Sequence, residues 1–323
     1  MFHQNNSSIL DFNCQINSKD IKQTSKKNIE SSMTSLPEIQ TALTVKMDFE
    51  NKKIKPIKNA ATELFGSELQ SHLIKRRQGT VWQFTATAKD YEKVFKRIIL
   101  GLKSQKQVRK LWIKLPNKIN GLHYLNPVIK KLTVLKYLSF VFPTNDATNA
   151  ELCSLRKSLQ TCHSLQHLSL YFFSCNNITN VGMKYLRKGL EYLQSLQEIS
   201  LEFYNYFKIT DAEVNTLRQG LQKLSSLRSI CLSFESCRLI TDAGLNFLSQ
   251  GFHTFTSLQK IDLTFDCGRI TDAGLDALGQ GLHHFHSLQD LSLRFDSYHR
   301  YWTRIFESRP SDGHFFRKNL FVI

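Results

Sequence analysis

The sequence predicts an α/β fold made by stacking one small supersecondary unit, and three observations predict it. A block opening with Ser-Leu recurs from Ser164, Ser195, Ser226, Ser257 and Ser287, at spacings of 31, 31, 31 and 30 residues. Each block holds a period-two apolar run, as in Ile230, Leu232 and Phe234, and then a helical-period run, as in Leu245, Leu248 and Phe252. A glycine recurs late in each block, at Gly189, Gly220, Gly251 and Gly281. One such strand-plus-helix unit cannot bury its apolar side alone, so the units stack into a solenoid.

Each element has a local cause. The alternating run makes a short strand with one buried face. The Ile-Thr-Asp that follows supplies a helix N-cap in Thr, and Asp211, Asp242 and Asp272 stand in the first turn as helix-capping residues. The late glycine is expected to close the last helical turn. The inward phenylalanines, Phe142, Phe172, Phe203, Phe234, Phe265 and Phe295, should form a stacked ladder. Burial of each large apolar side chain contributes about 1.5–3 kcal/mol before chain entropy is counted.

Weaker copies lie upstream. A full unit begins at Val134, and a shortened one occupies residues 108–133 with Leu111, Ile113 and Leu115 as its strand. Residues 81–101 look like a first helical copy. About seven units of 27–31 residues thus cover residues 79–297. Residues 1–45, rich in Asn, Ser, Gln and Lys, read as a disordered polar tail. Residues 46–78 read as an N-terminal cap or linker, with a capping helix over 59–74 through Ala60, Leu64, Leu69 and Leu73. Residues 298–323 read as a C-terminal cap or irregular tail, dense in aromatics such as Tyr301, Trp302 and Phe306.

The formal net charge is +16, from 43 Lys+Arg against 27 Asp+Glu. Residues 1–131 hold 24 against 10, a net of +14, and residues 132–323 hold 19 against 17, a net of +2. A basic front half favours acidic proteins, nucleic acid or anionic lipid as neighbours. The cluster Lys75, Arg76, Arg77 is its densest patch, but no nucleic-acid motif accompanies the charge, so a solvated lysine-rich surface is the expectation. The seven cysteines form no Cys-x-x-Cys pair, which fits reduced thiols. With no apolar leader and no membrane-spanning run, a cytoplasmic or nuclear location is expected.

The pattern Ile240-Thr241-Asp242-Ala243-Gly244-Leu245 behind Cys237, inside LxLxFxxCxxITDAGLxxLxxGLxxLxSL, resembles the leucine-rich repeats of the ribonuclease-inhibitor-like group. It is also similar to the cysteine-containing repeats common in F-box proteins. The resemblance implies a right-handed horseshoe with parallel strands on the concave face and helices outside. It implies a scaffold or adaptor, with a ubiquitin-ligase substrate receptor or a GTPase regulator as alternatives.

On that frame the outward strand positions are the candidate partner-binding residues: Trp112, Tyr171, Phe173, Glu202, Tyr204, Glu235, Asp262, Asp266, Arg294 and Asp296. They grade from aromatic to acidic, and exposed aromatics are the usual anchors of protein interfaces. The cluster His283, His284, His286 sits in a helix-to-strand turn without a fixed Cys or carboxylate beside it, so no metal site is expected. No GxSxG, P-loop, GxGxxG or HExxH occurs. The expectation is a monomeric, cofactor-free, non-enzymatic protein that binds a protein partner, with nucleic acid as a secondary possibility.

Overall fold

A computed structural model describes residues 43–49, 70–76, 79–86, 108–114, 122–142, 147–206, 208–285 and 287–295. They form one open sheet of ten strands. Strands β1 (Leu43–Phe49), β2 (Gln70–Arg76) and β3 (Gly79–Ala86) precede β4 (Val108–Lys114). A short helix α1 (Asn126–Ile129) leads to β5 (Tyr137–Phe142), and the alternation of strand and 11-residue helix then becomes regular. It runs α2 (Asn149–Leu159), β6 (His167–Phe173), α3 (Asn180–Leu190), β7 (Glu198–Tyr204) and α4 (Asp211–Leu221). It ends with β8 (Ser229–Glu235), α5 (Asp242–Phe252), β9 (Lys260–Phe265), α6 (Asp272–Leu282) and β10 (Asp290–Phe295).

The strand order is β10-β9-β8-β7-β6-β5-β4-β1-β3-β2. Strands β4 to β10 are seven parallel neighbours in chain order, alternating with helices, an α/β arrangement that fits a leucine-rich-repeat-like solenoid. The other end differs from expectation. Strand β1 pairs antiparallel with both β4 and β3, and β3 with β2. Residues 70–74, expected at the end of a capping helix over 59–74, lie in strand β2, and residues 81–86, expected in a first helical copy over 81–101, lie in antiparallel strand β3. The segment Gly-Thr-Val-Trp-Gln-Phe-Thr-Ala alternates with period two and carries β-branched and aromatic residues, so strand chemistry prevails. Strand β1 likewise takes Leu43 to Val45 from the expected polar tail. The expected aromatic C-terminal cap lies outside the described residues.

The core is the stack of inward side chains. Phe142, Phe172, Phe203, Phe234, Phe265 and Phe295 form the expected ladder, with successive centroids 4.8, 5.0, 5.4, 5.2 and 5.5 Å apart and rings stacked. Those steps follow from strand separation of about 4.8 Å.

Helix starts follow the expected chemistry. Thr148, Thr179, Thr210, Thr241 and Thr271 sit at N-caps in extended backbone, each hydroxyl accepting from the N–H two residues on. Asp211 and Asp242 act differently: they reach Thr241 and Thr271 of the following unit. The late glycines also depart from expectation. Gly189, Gly220, Gly251 and Gly281 lie inside the helices, and the residues after the helices keep right-handed backbone. A Cβ on Gly220 would sit 3.2 Å from Arg187 Cα, and one on Gly281 2.8 Å from Ser249 Cα. Glycine is required there because neighbouring helices nearly touch, not to turn the chain.

The one 30-residue spacing has a structural cause. Ser174, Asn205 and Ser236 follow their strands with positive φ of 49°, 52° and 58°. Cys237 stands three residues after Phe234, but Cys267 stands two after Phe265. The shorter unit omits the left-handed residue.

Candidate interaction face

Period two in each strand puts the apolar set toward the helices and the other set on the opposite face. In β6 the inward residues are Leu168, Leu170 and Phe172, and the outward ones His167, Ser169, Tyr171 and Phe173. Parallel register then aligns outward residues in rows across the sheet. One row is Trp112, Ser139, Ser169, Ser200, Cys231, Asp262 and Ser292. The next is Lys114, Val141, Tyr171, Glu202, Ser233, Thr264 and Arg294.

The structure brings the aromatic and acidic candidates together at the centre of this face. The Phe173 and Tyr204 rings stack at 4.8 Å, 6° from parallel. Tyr204 Oη donates to Glu202 Oε2 at 2.5 Å, and Ser200 Oγ donates to Glu202 Oε1 at 2.9 Å. Glu235 lies beside Tyr204 in register, and the Ser233 hydroxyl donates to it at 3.4 Å. Asp266 accepts from Ser236 Oγ at 3.1 Å, and Asp262 faces Arg294 Nη2 at 3.8 Å.

Exposure differs from expectation at two positions. Tyr171 and Glu202 are each only 8% exposed, so they form the floor of the patch. Trp112, Phe173, Tyr204, Glu235, Asp262 and Asp266 are half-buried, and Arg294 is exposed. Lys75 and Arg76 fall on β2, while Arg77 and Asp296 lie outside the described residues.

The electrostatics follow from this crowding. Burial first, then the neighbouring Glu202 and Asp266 charges, push the Glu235 carboxyl above its ordinary range; the Ser233 hydrogen bond and Arg294 oppose them. Burial, with the Glu202 charge and hydrogen bond next, pushes the Tyr204 phenol up. Tyr204 therefore stays a neutral hydrogen-bond donor to Glu202.

Sequence reasoning missed the row that opens each strand. Lys110 Nζ stands 4.4 Å from the Tyr137 ring centroid, Tyr137 stacks on His167 at 3.9 Å, and His167 Nδ1 lies 2.7 Å from Glu198 Oε2. Lys260 pairs with Asp290 at 2.9 Å. The available signal was position: each directly precedes an inward aliphatic residue of its strand, namely Leu111, Leu138, Leu168, Ile199, Ile261 or Leu291.

Among the described residues no group of His, Cys, Asp and Glu is placed to hold a metal ion, and no helix is long and apolar enough to cross a membrane.

No family model matches the chain, and no curated relative matches it. Among solved structures, the chain is similar at 14% identity and a TM-score of 0.27 to TLR13 in a TLR13–ssRNA13 complex, covering 60% of this chain. The match spans 34% of that TLR13 chain. It is also similar to phospho-2-dehydro-3-deoxyheptonate aldolase from Thermotoga maritima, at 12% identity and a TM-score of 0.26, covering 78% of this chain and 79% of that one.

Proposed function

We propose that this chain is a non-enzymatic, monomeric interaction module that binds a protein partner on the outward face of its parallel strands. The observation that carries the reading is the Phe173–Tyr204 stack anchored on Glu202 and continued by Glu235 and Asp266. Parallel sheets normally have both faces covered by helices. Here consecutive strands are neighbours, and crossovers of one hand put every connecting helix on the same side. The other side carries half-buried aromatics and carboxylates, the composition of an interface with aromatic anchors and charged orientation.

The finer reading is a right-handed leucine-rich-repeat horseshoe of the ribonuclease-inhibitor-like kind, with the strands on the concave side. Strands pack about 4.8 Å apart while helices need about 8–10 Å, so a one-sided stack bends toward its strands. A curved inner face offers more contact to a rounded partner than a flat sheet does. Among the described residues of this face, Glu202, Glu235 and Asp266 accept from neighbouring hydroxyls and Asp262 faces Arg294, so each of these charges is already held in place on the face.

The test is affinity capture from native extract with the intact chain beside a variant carrying Tyr171→Ala, Tyr204→Ala, Glu235→Lys and Asp266→Lys. Circular dichroism confirms that the variant is folded. Proteins retained by the intact chain and lost by the folded variant support the reading. Recovery of the same set by both overturns it.

A further inference from the structure

A strip of small side chains crosses the outward face. Ser139, Ser169, Ser200 and Cys231 follow one another in register, with Trp112 at one end and Asp262 at the other. Larger residues flank Ser139, Ser169 and Ser200, with Tyr137, His167 and Glu198 on one side and Val141, Tyr171 and Glu202 on the other, and the strip widens at Cys231, where the flanks are Ser229 and Ser233. The strip therefore runs across the strands as a trough. At its Trp112 end the Ser139 hydroxyl, on a residue 9% exposed, has no hydrogen-bond partner among the described residues. A buried hydroxyl without a partner is uncommon and calls for one.

The other end has a definite charge. The outward positions of β7, β8 and β9, with Asp266 just beyond β9, carry Glu198, Glu202, Glu235, Asp262 and Asp266 against Lys260. This is an acidic region on a chain whose net charge is +16. Glu202 is held in place within this region by hydrogen bonds from Ser200 and Tyr204. The half-buried Phe173–Tyr204 plate beside it offers ring faces to a cation.

We propose that this trough binds an extended segment of a partner protein bearing arginine or lysine. The segment lies across the strands, with its cationic side chains at the Glu235–Asp262 end and a main-chain group at Ser139. The inference rests on the strand-face reading above and narrows the partner. The aromatic plate and the carboxylates favour a guanidinium or ammonium group, and the same carboxylates repel an acidic peptide or nucleic acid at this place.

The test uses the full chain and three fluorescent probes: an octapeptide of alternating arginine and serine, its glutamate–serine counterpart, and a short single-stranded RNA. The arginine peptide should bind, and more weakly as salt rises. Glu235→Gln with Asp262→Asn, which keeps side-chain shape, should weaken it by roughly tenfold, whereas Lys157→Glu with Lys188→Glu on the helices should not. Ser139→Ala should weaken it without lowering the thermal midpoint. The proposal is overturned if the arginine peptide binds no better than the glutamate peptide. It is equally overturned if its affinity survives the neutralising pair, or if RNA alone binds and loses affinity in that pair. Partner capture that still depends on the face would then leave the broader reading standing.

Discussion

Asp211 accepts two hydrogen bonds from Thr241, the residue that caps the helix of the next unit: one from the backbone N–H at 2.9 Å and one from the hydroxyl at 2.8 Å. Asp242 does the same for Thr271 at 2.6 and 2.5 Å. Asn149 accepts from the Thr179 N–H at 2.9 Å. Thr148 and Thr210 are served differently, by Glu151 and Glu213 three residues on in their own helices. The alternation has a steric cause. Helices served by the previous unit carry Gly182, Gly244 or Gly274 where the others carry glutamate. A Cβ there would sit 2.5, 2.7 or 2.4 Å from the incoming Asn149, Asp211 or Asp242 oxygen. One acceptor fits, from one side or the other.

This relationship predicts a coupling. Asp211→Ala should cost about 1–2 kcal/mol, the usual worth of a helix cap. Adding Gly244→Glu supplies the internal acceptor that α4 already uses, where Ile209 shows that the neighbouring isoleucine coexists with Glu213. In urea unfolding the double variant should recover about 1 kcal/mol relative to the sum of the two single variants. Strict additivity would show that the two acceptors do not compete for one place.

Phe203 is 1% exposed and stacked between Phe172 at 5.0 Å and Phe234 at 5.4 Å. Phe203→Ala should cost about 3–5 kcal/mol. Because each unit is held mainly by its neighbours, a weak joint at mid-array should also divide the unfolding transition in two. Urea unfolding followed separately by far-ultraviolet circular dichroism and by tryptophan emission tests this; coincident curves with an unchanged midpoint would contradict it.

The parallel part of the fold was legible because its determinants are local and repeated: alternation, Thr caps and the Phe ladder all recur at the period. What was not legible depends on contacts between units. Gly220 looks like a helix end in the sequence, and only the approach of Arg187 shows why it is glycine. Asp211 looks like a cap for its own helix because its target lies 30 residues on. Strands β1 to β3 carry no repeat signature, and their partners are set by distant pairing with β4. In the candidate site, residue identities on the face were readable from period two. The burial of Tyr171 and Glu202 was not, since it comes from neighbouring rows.

The thiols should divide sharply by reactivity. Burial pushes Cys162 and Cys237 up to about 12 and raises Cys267 further, and Cys175 is fully buried. Cys153 and Cys231 are half-exposed. Since the thiolate is the reactive form, an aromatic disulfide reagent at about pH 8 should reach the four buried thiols only as fast as the protein opens. Cys14 lies outside the described residues, so the decisive variant combines Cys14→Ser, Cys153→Ser and Cys231→Ser. It should show no fast phase; a persisting one would mean that the core around Cys237 admits reagent.

The acidic patch predicts a pH dependence with a definite sign. Glu235 has its carboxyl raised above the ordinary 4.5, chiefly by burial and then by Glu202 and Asp266. Between 4.5 and that raised value the folded chain holds more protons than the unfolded one, so stability falls as pH rises through the window. Glu235→Gln removes the charge and keeps the shape. The variant should melt higher than the parent at neutral pH, and the two midpoints should converge once pH drops below 4.5. Arg294 opposes the shift, so Arg294→Ala should widen the gap at neutral pH. The check is a pair of thermal melts across that range at low salt. A lower midpoint for Glu235→Gln at neutral pH would mean that Ser233 and Arg294 hold the carboxylate more strongly than its neighbours disfavour it. Glu235 would then be a structural ion-pair partner, with no strained charge left for an incoming cation to relieve.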